Sequence, residues 1–355
     1  MSNQAAAPAL LAALLFGAST PLAKLLVGST PPLLLAGLLY LGSGLGLGVL
    51  LALRAMRRRT AAAARRIPTK DLTWLAGAIF FGGVLGPALL MLGLGRLSGA
   101  AASLLLNVEG VMTSIIAWVI FRENADRWIV AGMTAIVAGG ALLAWEPGSA
   151  SFSPGALFVI VACLCWAIDN NLTRKVSAND AMLVACLKGI FAGTFSTAMA
   201  FASGVQFPGV GAAISSLLVG FFGYGLSLTL FVVGLRTLGS ARAGAYFSVA
   251  PLFGVLVSFA LWPERPGLLF WPAAALMASG VWLHLRERHE HGHTHESGEH
   301  AHSHRHDEHH QHEHDFDWDG KVPHLHAHRH EAMTHKHAHY PDIHHRHRHE
   351  HSGDG

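Results

Sequence analysis

Apolar residues along this chain come in runs of about 20, separated by short stretches that hold turn residues and most of the charges. A helix of about 20 apolar residues crosses a hydrocarbon core ~30 Å thick. Ten such runs can be marked, at residues 8–28, 31–53, 72–95, 98–121, 128–145, 154–173, 181–203, 212–235, 241–262 and 267–285. They predict an all-α membrane protein. Interruptions such as Gly86-Pro87 are tolerable in spanning helices, where neighbouring helices re-satisfy the freed backbone groups. Beyond the last run the pattern changes to alternating histidines and polar residues.

Composition sharpens this picture. Over 355 residues, 52% are hydrophobic and 13% charged, which excludes an ordinary soluble enzyme or binding module. Residues 1–285 hold 17 Lys and Arg against 8 Asp and Glu, whereas 286–355 hold 8 against 14, and all 25 histidines lie at or after His284. Cys163, Cys165 and Cys186 sit inside apolar runs and read as buried thiols, which excludes a disulfide scaffold. Residues 1–7 carry no positive charge ahead of the first run, so that run is expected to be a retained span.

Short loops rich in Lys and Arg stay cytoplasmic. Alternate connections differ in that respect. One set holds Arg54, Arg57, Arg58, Arg59, Arg65, Arg66 and Lys70, then Arg122 and Arg127, Arg174 and Lys175, Arg236, and Arg286 and Arg288; the other holds only Arg96 and Arg265. With ten spans, both termini are expected in the cytoplasm of an inner-membrane, multi-pass protein.

The chain also repeats itself. At an offset of 141, Phe81, Gly82, Gly93, Leu94, Leu97, Ala100, Ala102, Val108, Glu123 and Gly139 meet Phe222, Gly223, Gly234, Leu235, Leu238, Ala241, Ala243, Val249, Glu264 and Gly280. The first two helices align at an offset of 150, pairing Phe16 with Trp166 and Lys24 with Arg174. Five helices is an odd number, so the second copy enters the membrane from the opposite side. Inverted repeats are a transporter's geometry, with the site near the midplane between the halves.

Residues 8–285 resemble the EamA-type transporters of the drug/metabolite transporter superfamily. The marks are ten helices in two repeats, Phe16-Gly17 and Trp166-Ala167 early in each copy, and the helix-terminal Glu123 and Glu264 ahead of Ala138-Gly139-Gly140 and Ala278-Ser279-Gly280. Departures are Gly110 where the family often has Pro, retained as Pro251 in the second copy, and the added tail. The resemblance implies a secondary transporter, commonly an exporter of small organic solutes. It divides the chain into a first repeat (1–145), a second repeat (154–285) and a tail (286–355).

An ionisable side chain inside a span costs at least about 2.5–3.5 kcal/mol, so each needs a reason. There are four: Lys24, Glu109, Asp169 and Lys188. Glu109 lies mid-span beside Gly110, with Asn107 two residues earlier; the second copy has Ala250 and Ser248 there, so the repeat does not require the acid. Such a carboxylate binds a substrate cation or carries the coupling proton, or else ties helices together. Asp169, followed by Asn170 and Asn171, is expected at the depth of Lys188 on the next helix, pairing either as an internal salt bridge or as a polar wall of the cavity. The candidate substrate or coupling-ion residues are thus Glu109, Asn107, Asp169, Asn170 and Lys188. Lys24 and Arg174 fall near helix ends, where long side chains snorkel, and Glu123 and Glu264 fall in turns. No Ser-His-Asp set and no phosphate-binding glycine loop occurs, so neither an enzyme nor an ATP-driven pump is expected, and catalytic residues are none.

The tail's histidines alternate in separated runs: His289, His291, His293 and His295; His300, His302, His304 and His306; His324, His326, His328 and His330; His335, His337 and His339; and His345, His347, His349 and His351. Alternate residues of an extended chain share one side, and neutral imidazole ligates Zn, Ni, Co or Cu ions. A segment this polar buries no core and is expected to be disordered without metal, no cofactor being required by the body. The expected partners are the lipid bilayer and a small-molecule or metal-ion substrate, with no nucleic acid; a homodimer is compatible with the pattern. Two uses of the tail stay open: a metal-responsive appendage on an organic-solute exporter, or a collector of Ni, Co or Zn cargo for a metal exporter.

Overall fold

The computed structural model describes residues 6–57, 67–121, 127–146, 151–176, 179–238, 246–263 and 265–286 of the body, and 290–295, 298–304, 324–330 and 333–338 of the tail. The chain divides into a helical unit, residues 1–287, and a tail unit, residues 288–355.

Among the described residues, seven helices are long and apolar enough to cross a membrane and three more are shorter and apolar, which accounts for all ten expected spans. The first two are α1 (Ala7–Val27) and α2 (Pro32–Arg57). The third runs as α3 (Thr69–Ala78), a π-helical segment (Ile79–Leu85) and α4 (Gly86–Leu94). The fourth is α5 (Gly99–Leu105) followed by α6 (Asn107–Phe121), and the fifth is α7 (Arg127–Ala144). A short antiparallel pair, β1 (Trp145–Glu146) with β2 (Ser151–Phe152), joins it to α8 (Pro154–Lys175), the sixth. The seventh is α9 (Ala181–Ala202), and the eighth runs as α10 (Val210–Gly220), a π-helical segment (Phe221–Leu226) and α11 (Ser227–Leu238). A turn at Ser248 and Val249 precedes α12 (Ala250–Leu261) in the ninth, and α13 (Phe270–Arg286) is the tenth.

The fold is the expected pair of inverted five-helix halves. The first span packs on the ninth and the sixth on the fourth; the first also packs on the eighth and the sixth on the third; the second packs on the seventh and the fifth on the tenth. Adding five to each number turns the first two pairs into each other, does the same for the next two, and returns each of the last two to itself. The local irregularities follow the same symmetry closely, because the two π-helical segments begin at positions related by the 141 offset within one residue, and the fourth span breaks at Leu106 while the ninth breaks at Ser248 and Val249, just past the Phe247 that corresponds to it.

Small residues set the spacing between helices. A Cβ on Gly139 would strike the Ala273 carbonyl and Met277, and one on Gly280 would strike the Gly132 carbonyl and Ile136, the same contacts exchanged by the repeat. Between α2 and α9, Gly44 lies directly against the backbone of Gly189 and Ile190. In a bilayer, where lipid tails are as apolar as Leu, such close backbone approach drives helix association. Leu35, Leu90, Met91, Leu94, Leu104 and Leu105 are fully buried in the main core, while Val49, Phe191, Leu256 and Trp271 lie exposed on the lipid-facing side of their helices.

In the tail unit, β3 (Glu290–His295) pairs antiparallel with β6 (Met333–Ala338), and β4 (Gly298–His304) with β5 (His324–His330). The backbone register sets His291 opposite His337, His293 opposite His335, and His300, His302 and His304 opposite His328, His326 and His324. Each ladder has two strands, and a two-stranded ladder is marginal in water by itself. His289, His306, His339, His345, His347, His349 and His351 lie outside the described residues.

The close helix contact makes a prediction. Gly44→Ala should lose about 1–3 kcal/mol of stability through overpacking, read as a lower unfolding temperature in detergent, whereas Gly28→Ala, which meets nothing within 4 Å, should leave it unchanged.

Candidate functional site

The site begins with two breaks in helical hydrogen bonding. In the third span, the Gly86 N–H reaches five residues back to the Phe81 carbonyl. The next residue, Pro87, has no N–H, so the Gly82 carbonyl is left without a helical donor. Two side chains from other helices satisfy it: the Tyr40 hydroxyl donates to it at 2.5 Å and the Trp166 indole N–H at 2.9 Å. The repeat puts Leu228 where the first copy has Pro87, so this demand exists in one half only.

In the fourth span, the Glu109 N–H reaches back to Leu106 rather than Leu105. The Leu105 carbonyl takes the Cys163 thiol instead, at 3.7 Å. Asn107 turns back on its own helix, its Nδ2 donating to the Leu104 carbonyl at 2.8 Å, and so secures the break. Glu109 then falls in the first turn of α6, where a helix N-terminus favours negative charge.

Around these breaks the polar residues gather. Asn170 Nδ2 donates to Glu109 Oε1 at 2.9 Å and approaches Thr113 Oγ1 at 3.3 Å. Asn171, buried, donates to the Ala167 carbonyl at 2.8 Å and to the Thr113 carbonyl at 3.3 Å, tying α8 to α6. Lys188 bonds both oxygens of Asp169 at 2.6 Å, with side-chain exposures of 16% and 7%, and the Thr173 hydroxyl donates to Asp169 Oδ1 at 2.9 Å. The expected pair is thus formed between the sixth and seventh spans. Asp169 and Lys188 also lie within electrostatic range of Glu109.

Glu109 is half-buried and Asn170 is exposed. On α8 the exposed Leu157, Val161 and Leu164 mark the lipid-facing stripe. At about 100° per residue, Asn170 sits roughly 120–180° away from it, so its exposure is to an opening inside the bundle. Half-buried rings follow one another nearby: Tyr40 against Tyr224 with centroids 5.6 Å apart, Tyr224 edge-on to Phe16 at 6.0 Å, and Phe16 against Phe247 at 5.3 Å.

The two halves share the scaffold and differ in the chemistry. A Cβ on Gly82 would collide with Asp169, and one on Gly223 would collide with Ser19, the repeat counterpart of Asp169. Lys188 corresponds to Leu38, Glu109 to Ala250 and Asn170 to Thr20. The polar cluster, built from residues of both halves, therefore occupies only one of two symmetry-related places in the frame.

Of the five candidate residues, Glu109, Asn170, Asp169 and Lys188 come together, and Asn107 does not join them. Tyr40, Trp166, Gly82, Thr113 and Thr173 complete the cluster without having been among the candidate site residues. Lys24 does not reach for headgroups; its Nζ donates to the Leu94 carbonyl at the C-terminus of α4, where a cation is favoured. The three cysteines are free and buried. Among the described residues no group of three or more His, Cys, Asp or Glu is placed to hold a metal. The side chains of Arg174, Glu123 and Glu264 lie outside the described residues.

Residues 5–145 and 153–286 each match the EamA-like transporter family. The chain is 25% identical over 287 residues to an uncharacterized transporter of Methanothermobacter thermautotrophicus (strain Delta H), covering 77% of this chain and 83% of that protein. It is 24% identical over 188 residues to the uncharacterized transporter YyaM of Bacillus subtilis (strain 168), covering 49% of this chain and 60% of that protein. A solved crystal structure aligns with a TM-score of 0.57 at 19% identity, covering 78% of this chain and 95% of the other, which is a likeness of fold.

The ion pair gives a test of the frame. Asp169→Asn alone should cost about 3–5 kcal/mol by stranding Lys188, and the double variant Asp169→Asn with Lys188→Met should recover most of that stability in thermal unfolding.

Proposed function

The chain belongs to the EamA-like transporter family, and we propose that it is a secondary transporter that exports a small organic solute by alternating access. The observation that carries this reading is the interior opening at the helix breaks, where the half-buried Glu109 and the exposed Asn170 meet beside a run of aromatic rings. Broken helices at the junction of two inverted repeats are where transporters bind substrate and coupling ions.

The roles divide by what each group is free to do. Both Asp169 oxygens are occupied by Lys188 and one also by Thr173, so that pair closes the sixth span on the seventh. Among the described residues the Glu109 carboxylate has a single, neutral partner, so it is the group that exchanges a proton or a substrate cation. The basic loops support cytoplasmic termini in an inner membrane.

The tail binds transition metal through its alternating histidines, and the cross-strand register sets five His pairs opposite one another along the two ladders. That pattern favours a second reading, in which divalent Ni, Co or Zn is the cargo and the tail collects it. The body favours the organic solute, since Asp169 is already neutralised by Lys188 and gives a metal no ready carboxylate.

Inside-out vesicles supplied with a metabolite panel and radiolabelled metals test both readings. Glu109→Gln, which keeps shape and removes charge, should lower transport at least about tenfold while the protein stays folded; unchanged flux would leave Glu109 a packing role. A reporter active only in the periplasm, fused after Leu285, should stay silent. Metal bound by the tail of the intact chain should be lost as pH falls through about 6.5, because protonated imidazole cannot ligate. Deleting residues 286–355 should leave organic-solute flux intact; a fall in metal flux at low metal would favour the cargo reading.

A further inference from the structure

A second opening, separate from the helix breaks, has a volume of about 210 Å³ and lies between α2, α9 and α11, near the end of α2 and the start of α9. Leu47, Leu228, Val232 and Val233 supply apolar wall, and two charged side chains, Arg54 and Asp180, line the same space. Asp180 Oδ1 accepts the Met182 N–H at 3.0 Å as the cap of α9, which leaves Oδ2. Among the described residues, Arg54 has no hydrogen-bond or ion-pair partner, so a guanidinium stands at the mouth of an apolar cavity with no acceptor.

The repeat provides a control for this place. At the 150 offset Arg54, Asp180 and Ala185 correspond to Gly204, Thr30 and Leu35, and at the 141 offset Val232 corresponds to Met91. Leu35 and Met91 are fully buried and Thr30 is 1% exposed, so the equivalent place at the other end is closed and carries no charge. A gap that only changed ends during a transport cycle would be lined alike at both. This one has a cation and an anion that its counterpart lacks.

We propose that the cavity binds a zwitterionic aminophospholipid, phosphatidylethanolamine. One guanidinium and one carboxylate match a headgroup with one phosphate and one ammonium. Arginine engages phosphate through a planar fork, and the carboxylate accepts from an ammonium that still has protons to donate. The apolar wall receives the first part of an acyl chain, and Val233, 40% exposed, opens the cavity toward lipid for the remainder. Arg54 is also followed in sequence by Arg57, Arg58 and Arg59, at the membrane boundary where headgroups lie. Seated there, the lipid holds α11 away from α2 and α9 at this end of the bundle.

The test uses the full chain purified in detergent, depleted of lipid and incubated with single defined lipids, with retained lipid counted by native mass spectrometry. Phosphatidylethanolamine should remain bound, with phosphatidylcholine and phosphatidylglycerol held about tenfold less tightly, as expected for losing one hydrogen bond to a charged group. Arg54→Gln and Asp180→Asn should each bring the same loss; Asn retains the helix cap, so α9 still begins correctly. Val232→Trp, which fills the apolar part and leaves both charges, should also displace the lipid. Equal retention of phosphatidylglycerol, or indifference to Asp180→Asn, would overturn the zwitterion assignment. Displacement by water-soluble glycerophosphoethanolamine as effective as by the lipid itself would overturn the acyl-chain contribution. The comparison of lipids on the unaltered protein decides the matter even where a variant does not fold.

Discussion

Inside a bilayer there is no water to accept a hydrogen bond, so every backbone group that a helix releases must find its partner within the protein. The candidate site grows out of that constraint. Pro87 frees the Gly82 carbonyl, and Tyr40 and Trp166 are drawn in from the second and sixth spans to satisfy it. The break at Leu106 frees the Leu105 carbonyl, which takes the Cys163 thiol, and sets Glu109 at the start of a new helix. Each repair ties two or three spans together at one depth, so the defects that permit a polar cavity also fix its walls.

The architecture was legible in the sequence because it rests on averages: apolar runs of span length and two offsets relating the halves. The pairing of Asp169 with Lys188 was legible for a different reason, since two intramembrane charges of opposite sign have few other ways to be tolerated. The carbonyl network was not legible. Nothing in hydropathy shows that Gly86 will bond five residues back, and only the Gly-Pro dipeptide hints that a carbonyl will be orphaned. Asn107 was misleading for a related reason, because a short amide near a helix break bonds its own backbone as readily as a ligand. Lys24 looked like a headgroup anchor, yet the Leu94 carbonyl at the C-terminal end of α4 lies within its reach, where the helix dipole favours a cation.

Pseudo-symmetry explains which parts of the structure can specialise. The helix contacts, both π-helical segments, and the Gly139 and Gly280 contacts are kept in both halves, since they hold the spans of one half against those of the other. Charge is kept at one of each pair of equivalent places only. Ser19 faces Gly223 where Asp169 faces Gly82, and Thr30 with Gly204 stand where Asp180 and Arg54 line the lateral cavity. Duplication supplied a frame with paired equivalent places, of which one could acquire polar groups from both copies while the other continued to supply packing.

That division also orders the two carboxylates within the bundle. A pair bound as closely as Asp169 and Lys188 has little to exchange, because separating it would leave two uncompensated charges in a low-dielectric interior. Pressed against Gly82, it fixes the sixth and seventh spans relative to the third. Glu109, bonded by a neutral amide and bordering open space, can gain or lose a proton or a cation at the cost of one hydrogen bond. The closed ion pair therefore gives the neighbouring acid a rigid setting, one carboxylate neutralised and held in place and the other left with a neutral amide partner.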